Sequence, residues 1–355
     1  MNRIEKIQNQ LAAYEIDAIL ITSEYNLRYA SNFTGTSGMA LITEDKAYFV
    51  TDFRYTEQAT QQAKGYEVVE ASQGLFEEVA DISKRLGVKT LGFEMDYVSV
   101  ATFNLLESIF DCDLKPISGL VEALREIKEP EEVENIRQAV KISESALEYI
   151  LDYIQPGMTE IQVANEIDFK MRSLGATCVS FDTIVASGVR SAMPHGVASE
   201  KVIEQGDMIT IDFGCYYKGY VSDMTRTFAI GDPGEKLREI YEIVRMANKK
   251  VHEQLRVGLT GKEVDAIARD YITSHGYGKE FGHSTGHGIG LEVHEAPGIS
   301  FRNDKPLRVG HAITNEPGIY LPGIGGVRIE DDIYMGENGA ENLMTFTTDL
   351  IILDK

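Results

Sequence analysis

The sequence predicts an α/β domain over residues 1–127 followed by an α+β domain over residues 128–355 with pseudo-two-fold internal symmetry. Three observations lead there. Short β-rich runs alternate with helical stretches through the first third of the chain, as in a layered α/β unit. An acidic helix start then opens at Pro130, where proline suits the first helical position and Glu131 and Glu132 answer the helix dipole. Further on, Gly157-Met-Thr-Glu-Ile-Gln-Val returns 101 residues later as Gly258-Leu-Thr-Gly-Lys-Glu-Val. A chain of 355 residues also exceeds the usual size of a single core.

The elements follow in order. Apolar residues at positions 4, 7 and 11 mark one face of an N-terminal helix rather than the unbroken apolar run of a signal peptide. Ala18–Thr22, Gly38–Ile42, Ala47–Thr51, Glu67–Glu70 and Thr90–Phe93 read as strands. From Pro130, the residues Val133, Ile136, Val140, Leu147, Leu151 and Ile154 recur at helical spacing, so this helix buries one face. An amphipathic helix precedes each copy of the Gly-x-Thr motif, which suggests a duplication. A shared helix-start motif accounts for the likeness equally well. Met208–Gly214 and Tyr220–Ala229 read as strands joined by a turn ending at Gly219.

Composition excludes several classes. With 34 basic and 56 acidic residues, the net charge of -22 argues against nucleic-acid binding. No segment approaches the roughly 18 apolar residues needed to span a bilayer, so no membrane partner and a cytoplasmic location are expected. Cys112, Cys178 and Cys215 stand far apart, favouring neither a disulfide framework nor a thiolate zinc site.

The chemistry concentrates in the second domain. His283, His287 and His294 fall within twelve glycine-rich residues, flanked by the carboxylate pairs Asp212/Asp223 and Glu316/Glu330. The hairpin around Gly219 sets Asp212 opposite or nearly opposite Asp223, close enough for two carboxylates to share metal ions. Asp212 and Glu316 lie 104 residues apart, close to the offset of the repeated motif. Val327 and Ile329 alternate with Arg328 and Glu330, so these last two share a strand face. Asp331 then points to the opposite face and is expected in solvent. One imidazole among four carboxylates suits Mn²⁺ better than a soft-ligand metal, which makes a metal-dependent hydrolase the expectation. The glycines match neither dinucleotide nor phosphate-loop patterns. His252, His275 and His311 read as structural, and His195, in a Pro-His-Gly loop, carries only weak functional weight by itself.

Taken together, His283-x-x-Gly-His287-x-x-Gly, the Asp212/Asp223 hairpin and the Glu316 and Glu330 segments resemble the pita-bread metallopeptidases, the superfamily of methionine aminopeptidase, aminopeptidase P, prolidase and creatinase. The resemblance covers essentially the whole chain. It implies the pita-bread fold for the second domain and, as metal ligands, Asp212, Asp223, His287, Glu316 and Glu330, holding two divalent ions, Mn²⁺ first with Co²⁺ or Zn²⁺ as alternatives. It implies Glu316 as the general base, His294, His283 and His195 as the other catalytic residues, the first two as transition-state stabilisers, and His195, His283 and Arg328 as substrate contacts. Residues 1–127, with Asn32-Phe-Thr-Gly-Thr-Ser-Gly38 and Thr51-Asp-Phe-Arg-Tyr55, are similar to the N-terminal domain of aminopeptidase P, prolidase and creatinase. Creatinase lacks the metal ligands that are all present here, so the resemblance implies a peptidase acting on peptides with proline at the second position, and a homodimer.

Two activities remain, together with a reading from another class, a non-catalytic pita-bread binding protein. Prolidases resembling this chain often place an arginine where Gly298 stands. Without that charge a dipeptide's carboxylate is poorly compensated, so an Xaa-Pro aminopeptidase is expected, with an Xaa-Pro dipeptidase as the alternative. Arg302 is the nearest substitute for the missing cation.

Overall fold

The computed structural model describes residues 1–355, which divide into units Met1–Arg125 and Glu126–Lys355. In the first, α1 (Arg3–Leu11) is closed by a capping box between Asn2 and Glu5 and buries Ile7 and Leu11. There follow β1 (Ala18–Ile21), α2 (Glu24–Ser31), β2 (Met39–Thr43), β3 (Ala47–Thr51), α3 (Thr56–Gln62), β4 (Glu67–Glu70), α4 (Leu75–Leu86), β5 (Thr90–Glu94), α5 (Val100–Ile109), β6 (Asp113–Ile117) and α6 (Glu122–Arg125). The strands form one mixed sheet in the order β4-β3-β2-β1-β5-β6. Every residue of β1, β2 and β3 is buried, which is why these segments are continuously apolar rather than alternating. All five expected strands are present. β6 escaped the sequence because Lys115-Pro116 and a half-exposed pattern do not look like a strand; it lies at a sheet edge, where proline is tolerated.

The second unit opens with α7 (Pro130–Tyr153), which buries Val133, Ile136, Val140, Leu147 and Ile150, and α8 (Glu160–Ser173). Then come β7 (Cys178–Val179), β8 (Ile184–Ser187), a 3₁₀ turn (Gly188–Ala192), β9 (Met208–Phe213), β10 (Cys215–Tyr217), β11 (Tyr220–Val221) and β12 (Met224–Ile230). A second helix pair, α9 (Glu235–Gln254) and α10 (Gly261–Ser274), precedes β13 (Gly286–Gly288), β14 (Glu295–Ile299), β15 (Ala312–Asn315), β16 (Gly318–Leu321), β17 (Gly325–Arg328), β18 (Asp331–Gly336), β19 (Gly339–Asn342) and β20 (Ile352–Leu353). Sheets β20-β12-β9-β8 and β14-β13-β15-β18-β19 form one after each helix pair. No helix is long and apolar enough to cross a membrane.

The repeated motif has a structural counterpart. Gly157 and Gly258 both adopt φ 94°, a left-handed conformation that glycine reaches without steric cost. Thr159 and Thr260 both cap the following helix with a reciprocal capping box. Gly157 N donates to Ile203 O and Gly258 N to Leu307 O, each at 2.9 Å, while Ile203 N and Leu307 N donate back to Met158 O and Leu259 O. Two equivalent helix starts are thus stitched to equivalent extended segments through the isolated bridges Thr159–Val202 and Thr260–Pro306.

Candidate metal centre and active site

The hairpin between β9 and β12 turns at Lys218-Gly219, where φ is 48° and 85°; two consecutive positive values make the primed turn that matches strand twist. Its register pairs Asp212 with Thr225. Asp223 therefore stands two positions along from Thr225, a diagonal neighbour of Asp212 on the same face. Behind it, Asp223 N donates to Asp332 Oδ2 at 3.0 Å. In the other half, β13 carries His287 beside β15, and Glu316 N donates to Thr285 O at 2.8 Å. Thr314 ties the two together, accepting from His287 N at 3.1 Å and donating to Glu316 Oε1 at 3.3 Å.

All five expected ligands line one cavity of about 440 Å³, together with His195, His283, His294 and Arg328. Asp223, His287 and Glu330 come closest, each offering one ligand atom within 4.8 Å of the others. His287 Nε2 lies 3.5 Å from Asp223 Oδ2 and 3.4 Å from Glu316 Oε1. Asp212 is held from the far side by Arg328 Nη2 at 2.6 Å, and its Oδ1 is buried without a partner.

Electrostatics tests whether this pocket fits a cation. Burial, reinforced by Glu330 and Asp212, holds the Asp223 carboxyl well above the usual carboxylate range. Burial and the neighbouring Glu316 and Asp212 do the same to Glu330. Glu316 is pushed up to about 7, chiefly by burial, with the Arg328 charge opposing. Four carboxylates against one guanidinium are under-compensated, and Asp212 Oδ1 has an unmet need for a partner; an oxygen-preferring divalent cation meets both. Burial also lowers His287 to about 4. Its Nδ1 donates to Gly288 O at 3.1 Å, since a carbonyl only accepts, leaving the Nε2 lone pair directed at the carboxylates.

His283, also lowered to about 4 by burial, donates from Nδ1 to Ser284 O at 2.8 Å and accepts at Nε2 from Tyr320 OH at 2.8 Å. Both nitrogens are spent, so the expected oxyanion-donor role does not suit this geometry; the ring lines the pocket and anchors Tyr320. The His294 ring centroid lies 4.1 Å from that of His287 with the planes tilted by 45°, and its ring nitrogens make no hydrogen bond. His195 sits exposed at the mouth. Asp331 corrects another expectation. It is fully buried rather than solvated, paired with Arg226 Nη2 at 2.7 Å and with His252 Nε2 at 2.9 Å. Neither Gly298 nor Arg302 lines the cavity.

Sequence reasoning missed the groups that orient these side chains. Tyr320 OH accepts from Arg328 Nη1 at 2.8 Å, and Thr225 Oγ1 accepts from Arg328 Nε at 3.1 Å while donating to Glu330 Oε2 at 2.6 Å. No pattern in the sequence marks these groups; in the fold, Gly318 pairs with Arg328, and a Cβ there would meet Tyr320 OH at 2.5 Å. The glycine is what lets the tyrosine reach the guanidinium.

Known proteins bear on this geometry. Residues 3–127 match the creatinase/prolidase N-terminal domain, and residues 134–337 match metallopeptidase family M24. The chain is 42% identical over 356 residues to an Xaa-Pro dipeptidase of Pyrococcus furiosus, covering 98% of this chain and 99% of the relative. Its structure is similar to that of an Xaa-Pro dipeptidase from Bacillus anthracis, with a TM-score of 0.98, 54% identity and 99% of each chain covered. It also resembles an X-Pro aminopeptidase from Thermotoga maritima, with a TM-score of 0.91, 43% identity and 96% and 98% covered. A pocket of clustered carboxylates around a neutral imidazole, on a scaffold matched this fully, leaves one assignment: the chain belongs to metallopeptidase family M24.

Proposed function

We propose that the chain is an Xaa-Pro dipeptidase, a cytoplasmic homodimer using two divalent ions, Mn²⁺ foremost, held by Asp212, Asp223, His287, Glu316 and Glu330. The observation that carries the metallopeptidase chemistry is the convergence of those five side chains in one small cavity. Relatives named as Xaa-Pro dipeptidases favour the dipeptide substrate over the aminopeptidase activity expected from Gly298. That expectation weighed a single absent arginine, whereas the cavity presents the imidazoles of His195 and His294, either able to meet a substrate carboxylate.

Divalent cations in such a site supply Lewis acidity and a nucleophile at neutral pH. The protein's own groups do the rest. Glu316 Oε1 is held by Thr314 while Oε2 makes no hydrogen bond, so an ionised Glu316 offers a free oxygen to accept a proton. It takes the proton of the attacking water and passes it to the proline nitrogen as the C–N bond breaks. His294, lining the cavity with both ring nitrogens free, donates to the developing oxyanion. Arg328, locked by Asp212, Tyr320 and Thr225, keeps Asp212 aimed inward. The deciding experiment compares kcat/KM for Ala-Pro, Ala-Pro-Ala and Ala-Pro-Ala-Ala on Mn²⁺-reconstituted protein. Preference for Ala-Pro is expected; preference for the longer peptides would return the chain to the aminopeptidases.

A further inference from the structure

Glu160, the first residue of α8, has no exposed surface and takes no part in the chemistry above. Its Oε1 accepts from Ser187 N at 2.8 Å and Ser187 Oγ at 2.9 Å. Its Oε2 accepts from Ser199 N at 3.1 Å, from Ser199 Oγ at 2.7 Å and from the Arg190 guanidinium. Arg190 extends the clamp by donating through Nη2 to Val197 O at 2.9 Å. Ser187 ends β8 and Ser199 follows the loop, so a single carboxylate ties together both ends of the segment that carries His195. Five donors, one of them cationic, at the N-terminus of a fourteen-residue helix make this a site for an anion.

His195 needs such help. The residue is exposed, and its ring makes no hydrogen bond or ion pair of its own. Around it, Gly196 N donates to Met193 O at 3.1 Å and Val197 N to His195 O at 2.9 Å, a tight turn with no side-chain anchor at its tip. The place of the imidazole in the cavity is therefore set by the backbone, which Glu160 clamps at both ends and which Ser191, accepting from Gly326 N at 2.8 Å, and the Ile184–Val197 bridge hold between them.

We propose that Glu160 is a positioning residue for His195: its carboxylate fixes the loop over residues 188–198 so that the imidazole meets the bound substrate. This rests on the reading of His195 as a substrate contact. Misplacing a contact by about 1 Å can cost up to two orders of magnitude, whereas a residue serving stability alone would lower the melting temperature and leave KM unchanged.

The test uses the full chain loaded with Mn²⁺ and the substrate Ala-Pro. Glu160→Gln keeps the shape but turns a donor toward Ser199 and Arg190; it should raise KM by about tenfold with metal content unchanged. Ser199→Ala removes one clamp donor without stranding a buried charge, should raise KM in the same direction by less, and carries the test if Glu160→Gln does not fold. In a His195→Ala background neither substitution should raise KM further, because no imidazole is left to place. Penalties that persist in full in that background overturn the assignment, as does an unchanged KM in both clamp variants when His195→Ala alone raises it. A normal KM for His195→Ala overturns the substrate role of His195, and the assignment with it.

Discussion

Loading the site with metal should expel protons, in an amount and over a pH range that the structure sets. Glu316 sits near 7 in the metal-free protein, and Asp223 and Glu330 are also held up by burial and one another's charge. A ligand carboxylate must be ionised, so binding removes whatever protons these groups retain. At pH 6 a group with a pKa of 7 is about 0.9 protonated and at pH 8 about 0.1, so Glu316 alone accounts for about one proton released at pH 6 and almost none at pH 8. His287, already neutral at about 4, contributes nothing in this range. Apparent Mn²⁺ affinity should therefore rise about tenfold per pH unit below 7, more steeply where Asp223 and Glu330 still hold protons, because the three titrate as a coupled set.

The measurement is calorimetric titration of metal-free protein with Mn²⁺ at pH 6, 7 and 8, each in two buffers of different ionisation enthalpy, with Glu316→Gln as the control that should lose close to one released proton at pH 6. Stability without metal should move the opposite way. A carboxyl whose folded pKa exceeds its unfolded value leaves the native state with more protons between about 4.5 and 7, so metal-free stability falls as pH rises through that window. A binding heat identical in both buffers at pH 6, or an affinity flat from pH 6 to 7, would refute the reasoning.

Two further outcomes are expected. His294→Ala should lower kcat by about two orders of magnitude, as loss of one oxyanion donor does, with metal content intact; loss of metal instead would make the ring a support for His287, against which it packs. Arg226→Met strands the buried Asp331 carboxylate and should cost roughly 3–5 kcal/mol in urea unfolding, so a loss within experimental error would mean that His252 and Asn248 suffice to hold that charge.

What could be read from the sequence and what could not divides along physical lines. Strands buried on both faces announce themselves as unbroken apolar runs, and acidic residues in otherwise apolar strands stand out against them. Thr225, Thr314 and Tyr320 do not, because threonine and tyrosine are ordinary strand residues and only three-dimensional register turns them into links between Arg328, Glu330, Glu316 and His283. Asp331 was misjudged because alternation along a strand says which residues share a face, not what that face meets. Here the opposite face meets Asn248 and His252 of α9 and the Arg226 guanidinium.

The repeat explains how one pocket collects ligands so far apart in the chain. Ile203 and Leu307 are the hydrogen-bond partners of Gly157 and Gly258, and nine residues beyond each stands a carboxylate, Asp212 in the first half and Glu316 in the second. Equivalent stitching followed by equal lengths of chain delivers the two acids to equivalent places. The second acids break the pattern: Asp223 follows Asp212 by 11 residues, Glu330 follows Glu316 by 14. The first interval is spanned by the two-residue turn at Lys218-Gly219; the second includes the separate β16–β17 ribbon, which brings in Tyr320 and Arg328. That added ribbon is where the halves differ chemically, since it supplies the one guanidinium lining the cavity. Symmetry thus accounts for Asp212 and Glu316, and its breaking accounts for the guanidinium that offsets part of the charge of four carboxylates in a pocket of about 440 Å³.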